Sequence, residues 1–364
     1  MSQPYNRVFN FSAGPCTLPV PVLEEAREDL MNYKGAGMSV MEMSHRSKAY
    51  EKIIGEAEQD LRQLFNVPQE YKILFLQGGA SMQFANLPMV FLEEGRSADY
   101  IVTGAWGKKA LESAKLYGSV NVIYDAKGDN YNHTPDWDLP EFTENAAYVH
   151  FTSNETIQGV QFKSDPSLKA PVICDMSSDI LSRPVDVSRY QVIYAGAQKN
   201  MGPAGVTVVI MHEDYMAKSK QGLAPMFDYR VHAENGSMYN TPPCWSIYMC
   251  GLVYKYMLKN GGLEAQQKQC EAKAKVLYDA VDKSGGFFKG HAMEGCRSVM
   301  NVTFTLPSDE LTSQFVKETE AAGLDGLKGH RSVGGCRASI YNAFPIEGCE
   351  ALAAHMKEFA ARNG

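Results

Sequence analysis

The sequence predicts an α/β protein: a large domain on a mostly parallel central sheet flanked by helices, plus a smaller C-terminal α+β domain. Three observations carry this. Between residues 70 and 212, seven short apolar runs recur, most too continuous for strands with one wet face. After residue 250 the texture shifts to long amphipathic stretches around two further strands. At 364 residues, 45% hydrophobic and 21% charged, the chain has ample core material and the length for two domains.

The predicted strands are YKILFL (71–76), DYIVTG (99–104), VNVIYDA (120–126), AYVHFT (147–152), PVICD (171–175), YQVIYA (190–195) and GVTVVIM (205–211). Helical patterns fit between some of them, at 81–94 and 107–118. The stretch 213–245, with its Gly, Pro, Tyr and polar residues, reads as a long loop. Beyond it, 264–283 reads as an amphipathic helix stopped by Gly285 and Gly286. A strand (298–306), a helix (309–323), a strand (336–343) and a closing helix (347–363) complete the second domain. Boundaries at 16–262 and 263–364 follow.

Composition narrows the function. The net charge is −7 and the basic residues are scattered, so neither a nucleic-acid surface nor a polybasic membrane patch is expected. The opening MSQPYNRVFNFSAGP lacks the pattern of a signal peptide, and no apolar run approaches the roughly 18 residues of a membrane span. Eight dispersed cysteines without CxxC or zinc spacing read as small core residues of a reducing cytoplasm, with no metal site.

In a parallel α/β sheet, ligands bind beyond the carboxyl ends of the strands, so the residues that follow each run matter most. After 71–76 comes QGGASMQFA, two glycines opening a helix. Its free amides suit a phosphate, although a plain tight turn is as good a reading. It is neither GxGxxG nor a P-loop, which removes support for a nucleotide. After 99–104, Trp106 stands in a turn, as a packing residue or as a plate for a flat ligand. After 147–152 comes SNET (153–156), with hydroxyl and amide groups. Asp175 ends the next strand, where it can cap a helix or meet a ligand. Gln198 and Lys199 follow the strand after that, Lys199 among Gly, Ala, Gln and Asn. As a lone residue Lys199 reads as a surface lysine, but that explains none of its companions. A phosphate cradle, an aromatic plate, a carboxylate and a desolvated lysine are together the groups that pyridoxal 5′-phosphate requires.

At FSAGP (11–15), MSHRS (43–47), GGAS (78–81), AWG (105–107), NETI (154–157), DMSSDILSRP (175–184), YAGAQKNMGPAG (194–205), YNTPP (239–243) and KGHRSVGGCRASIYNA (328–343), the chain resembles the class V aminotransferases. These are pyridoxal phosphate enzymes of fold-type I, and the likeness is to their phosphoserine-handling branch. The resemblance implies one cofactor per subunit, as a Schiff base to Lys199, with Asp175 on the pyridinium nitrogen and Trp106 stacked on the ring. It implies Thr156 at the ring hydroxyl, and Ala80, Ser81 and Gln198 at the phosphate. Asn240 and Thr241 would reach the phosphate from the second subunit of a homodimer with shared sites. Arg337 would bind the substrate α-carboxylate. His45, Arg46, His330 and Arg331 would hold its phosphate or the distal carboxylate. Residues 1–15 would pack near the active site.

The reaction implied is amino transfer between O-phospho-L-serine and 2-oxoglutarate, through 3-phosphohydroxypyruvate and glutamate, in serine synthesis. Whether 4-phosphohydroxy-threonine is a second substrate stays open. Two departures touch detail only: GGAS replaces the GGGR-type loop of one branch, and Ala13 stands where some relatives carry serine. Rivals are amino transfer to glyoxylate or pyruvate, and cysteine desulfuration, for which Cys336 in GGCRAS is the one candidate. A non-catalytic protein of the same fold should have lost Lys199 or Asp175, and an NAD enzyme lacks its fingerprint.

Overall fold

All seven apolar runs enter one sheet. The computed structural model describes residues 4–137 and 142–364, so the first three residues of the predicted 1–15 segment lie outside it. The strands are β1 (Tyr71–Leu76), β2 (Ser97–Val102), β3 (Ser119–Asp125), β4 (Val149–Thr152), β5 (Val172–Asp175), β6 (Val192–Gly196) and β7 (Thr207–His212). Their order across the sheet is β1-β7-β6-β5-β4-β2-β3. β6, β5, β4, β2 and β3 run parallel, while β7 is antiparallel to both β6 and β1. The carboxyl ends of β1 and of the five parallel strands therefore share one edge. Central strands are dry on both faces: Val192, Ile193, Tyr194 and Ala195 of β6 are each at most 1% exposed. β3 departs from the expected double burial. As an edge strand with one neighbour it leaves Val122 45% exposed.

Helices α1 (Val20–Asp29), α2 (Lys48–Leu64), α3 (Gly79–Phe91), α4 (Ala105–Ala114) and α5 (Cys244–Lys259) belong to this layer structure. α2 starts where the Ser47 side chain accepts from Tyr50 N, and it buries Tyr50, Ile53, Ile54, Ala57, Leu61 and Leu64. Those residues pack toward α5, close enough that a Cβ on Gly251 would lie 3.3 Å from Ala57 Cβ. The stretch 213–245 is not one long loop. It holds helical turns at Glu213–Met216 and Tyr229–Glu234, the latter capped by Asp228, and α5 begins at Cys244.

The second unit is a three-stranded antiparallel sheet, β8 (Lys289–Gly290), β9 (Asn301–Thr305) and β10 (Cys336–Ser339). It is covered by α6 (Gly262–Asp282), α7 (Asp309–Ala321) and α8 (Ile346–Asn363). Edge-to-face aromatics, among them Phe288, Phe304, Phe315 and Phe359, fill its core. Phe11 is fully buried in that same core, and Phe9–Asn10 pairs with Leu324–Asp325. The N-terminal segment then runs toward the sheet edge, where a Cβ on Gly14 would come within 3.3 Å of Lys199 Cγ. No helix among the described residues is long and apolar enough to cross a membrane.

Candidate active site

A cavity of about 320 Å³ opens at the carboxyl edge of the sheet, between it and the second unit. Lys199 leaves β6 on the loop before β7 and points into this space. Its Nζ donates to Thr156 Oγ1 at 2.8 Å and lies 5.6 Å from the Trp106 ring centroid. Burial pushes the Lys199 amine down to about 8, with Asp175 and Glu155 opposing. A lysine with that pKa is a usable nucleophile and base near neutrality.

Asp175 ends β5 and is 3% exposed. Its Oδ1 accepts from Ser177 N at 2.9 Å. Burial raises its pKa, while Ser177 and Lys199 hold it down. A cation brought against this carboxyl would favour its ionised form further. Trp106 enters from the first turn of α4, and Ala80 and Ser81 from the first turn of α3. No side chain caps α3. Its N-cap is Gly78 at φ 91°, and a Cβ there would meet Met82 Cβ at 2.6 Å. The amides of that turn are left for an anion. Gln198 folds over Gly196, where a Cβ would meet its Oε1 at 2.6 Å.

From the second unit come His330 and Arg337. Arg337 Nε is buried without a hydrogen-bond partner, and no carboxylate of the described residues pairs with this guanidinium. Burial lowers its pKa. His330 is also held below its ordinary value by burial and by Arg337, Arg331 and Lys109. Two charged groups were missed in the sequence. Lys109 lines the cavity, its Nζ 4.1 Å from the Trp106 ring centroid, and it could have been found one helical turn after Trp106. Glu155 lies behind the cavity wall, inside the quoted SNET.

Five predicted residues are not in the cavity. Arg331 and Arg46 are exposed, and His45 keeps a buried Nε2 without a partner. Asn240 lies in a neighbouring cavity with Gln77, and Thr241 O accepts from Gln77 Nε2 at 3.2 Å. Cys336 also drops out as a reactive group. It is 0% exposed within β10, and burial pushes its thiol up to about 12.

The donor set fits pyridoxal phosphate group by group: amides for the phosphate, an indole for the ring, a carboxyl for the ring nitrogen and an amine for the aldehyde. Comparison with known proteins agrees. The family model for aminotransferase class-V matches residues 8–352. The chain belongs to the class V aminotransferases. Within that family it is 54% identical to a phosphoserine aminotransferase of Geobacillus kaustophilus, over 98% of this chain and 99% of the relative. The crystal structure of phosphoserine aminotransferase from Bacillus circulans subsp. alkalophilus superposes with a TM-score of 0.96 at 51% identity, covering 98% and 99% of the two chains. A pyridoxal phosphate-bound phosphoserine aminotransferase from Trichomonas vaginalis gives 0.92 at 40% identity, covering 96% and 100%. The class V fold read from the sequence is thus the one observed, and the cofactor of this class V chain is pyridoxal phosphate.

Proposed function

We propose that this chain is a phosphoserine aminotransferase, moving an amino group reversibly between O-phospho-L-serine and 2-oxoglutarate, to give 3-phosphohydroxypyruvate and glutamate, in the service of L-serine synthesis. The observation that carries the substrate class is Arg337, a largely buried guanidinium that pairs with no acid among the described residues and faces the same cavity as Lys199. A planar fork of that kind is suited to a carboxylate brought by the substrate. Relatives named for phosphoserine, at about half identity over nearly the full length, support the phosphate at the other end.

Bound pyridoxal phosphate supplies an electron sink for the bond broken at the substrate Cα. The protein does the rest. Asp175 holds the ring nitrogen protonated, and Trp106 fixes the plane of the ring. The α3 amides at Ala80 and Ser81, with Gln198, anchor the phosphate. Thr156 hydrogen-bonds the ring hydroxyl. Arg337 would orient the α-carboxylate and leave Lys199 Nζ placed to take the proton from the substrate Cα and deliver it to the cofactor's former aldehyde carbon, on the far side of the nitrogen. Arg331 and Lys109 add positive potential near the cavity for the second anionic group, to which a neutral His330 can donate a hydrogen bond.

The working unit is a homodimer. His45, Arg46, Asn240 and Thr241 lie outside this chain's cavity and complete the partner's site. Exposed apolar side chains flank both segments, Met31 at 81% and Met41 at 58% on one, Met226 at 44% and Tyr239 at 41% on the other. We place the enzyme in the cytoplasm, where eight free cysteines are at home.

A half-reaction tests the assignment. Phosphoserine alone, added to purified protein loaded with pyridoxal phosphate, should abolish the visible cofactor band, and 2-oxoglutarate should restore it. Serine and alanine should leave it unchanged. Bleaching by alanine would overturn the substrate, and a protein that stays colourless with added cofactor would overturn the whole reading.

A further inference from the structure

Glu155 is fully buried, yet both carboxylate oxygens are spent on backbone amides of another segment. Its Oε2 accepts from Trp106 N at 2.9 Å and its Oε1 from Gly107 N at 2.7 Å. Gln158 Oε1 takes the preceding amide, Ala105 N, at 3.3 Å. Three successive donors at the start of α4 are thus received by the turn between Glu155 and Gln158. α4 has no cap of its own, because its N-cap residue is Gly104. Both flanking glycines leave room for the incoming carboxylate. A Cβ on Gly104 would sit 2.5 Å from Glu155 Cδ, and one on Gly107 would sit 3.2 Å from Oε1.

Taking Trp106 as the plate for the cofactor ring, as assigned above, we propose that Glu155 is a positioning residue that fixes the depth and tilt of the Trp106 ring by docking the first turn of α4 against the 154–158 turn. A glutamate suits this task and a glutamine does not. Two N–H groups need two acceptor oxygens, whereas an amide offers one and turns a second donor against a donor. The carboxylate also sits at the positive end of α4, which favours its charge in a dry site. Burial pushes this carboxyl up to about 7, with the two amides and Lys199 pulling it down. The α4 amides thus offset part of the effect of burial and keep the carboxylate form within reach near neutral pH.

The test uses the full chain with Glu155→Gln, with and without pyridoxal phosphate. Loss of one charge-assisted hydrogen bond should speed amide hydrogen exchange at residues 105–107 of the cofactor-free protein about tenfold. It should also change the visible circular dichroism of the bound cofactor and weaken cofactor binding roughly tenfold. Faster exchange with the wild-type dichroism and dissociation constant would overturn the assignment, leaving Glu155 as a helix cap only. If wild-type protein itself takes up no cofactor, the function proposed above falls and this assignment with it. Unchanged spectra of the variant beside normal wild-type uptake overturn this assignment alone. Gly107→Ala guards against a variant that fails to fold. Its methyl group presses on Oε1 while leaving the charge, and it should produce a smaller change of the same sign.

Discussion

Replacing Arg337 by methionine should make the cofactor-free protein more stable and the enzyme much worse. The guanidinium is largely buried, its Nε has no partner, and no described carboxylate neutralises it. Holding such a charge away from water without an anion costs free energy, and an apolar side chain of similar length removes the cost. Arg337 keeps some contact with solvent at the cavity mouth. The gain is therefore a discounted ~1 kcal/mol, or roughly 2 °C in Tm for a chain of this size. With substrate the sign reverses. A bidentate guanidinium–carboxylate contact is worth about 1.5–3 kcal/mol, so kcat/KM for phosphoserine should fall about 10- to 150-fold. Differential scanning calorimetry of the cofactor-free variant, beside stopped-flow half-reactions with phosphoserine, reads both effects. A lowered Tm together with a near-normal kcat/KM would refute the reasoning, because Arg337 would then be paired within the fold and idle toward substrate.

Three other outcomes are expected. His150 is buried, bonded to Tyr194 OH at 2.7 Å, and pushed down to about 3 from an ordinary 6.5. Below 6.5 the unfolded chain takes a proton that the folded one refuses, so stability is full above 6.5 and falls as the pH drops toward 3. Urea unfolding of His150→Gln at pH 6.5 and 5 should show this loss reduced by about 1.6 kcal/mol between the two. Lys199→Ala and Arg46→Ala should each be inactive alone, yet regain about a quarter of wild-type activity when unfolded and refolded together, since one site in each mixed dimer is intact; no recovery would place Arg46 in its own chain's site. Cys336→Ala should keep kcat within about twofold, at a stability cost of roughly 1–2 kcal/mol measured by urea unfolding, and lost turnover would revive a role for the thiol.

The sheet was legible because its strands are buried on both faces and stand out as apolar runs between punctuating residues. YKILFL and the observed Tyr71–Leu76 coincide. α2 is equally legible in principle, since its buried stripe from Tyr50 to Leu64 has helical spacing. The 213–245 stretch misled because its helical turns are short and rest on a local cap at Asp228 and on tertiary packing, which composition does not display. Within the site, residues that follow a strand could be placed by topology alone, which is why Trp106, Asp175 and Lys199 meet. Glu155 could not, because its task is fixed by two amides 48 and 49 residues away and by the absence of a Cβ on Gly104 and Gly107. His45, Arg46, Asn240 and Thr241 were recognisable only by resemblance, as they do not line this chain's own cavity.

The reversed direction of β7 bears on how far Lys199 can travel. Because β7 is antiparallel to β6, the loop that carries the lysine leaves the sheet at Gly196 and returns at Thr207, directly opposite in the ladder. Both anchor strands lie inside the sheet and not at its margin. Trp106 and Asp175, by contrast, each lead into a segment that departs from the sheet edge. The amine therefore sits on a short closed span with both feet clamped. Its side chain can still swing within the cavity, while its backbone should be among the last parts of the molecule to open.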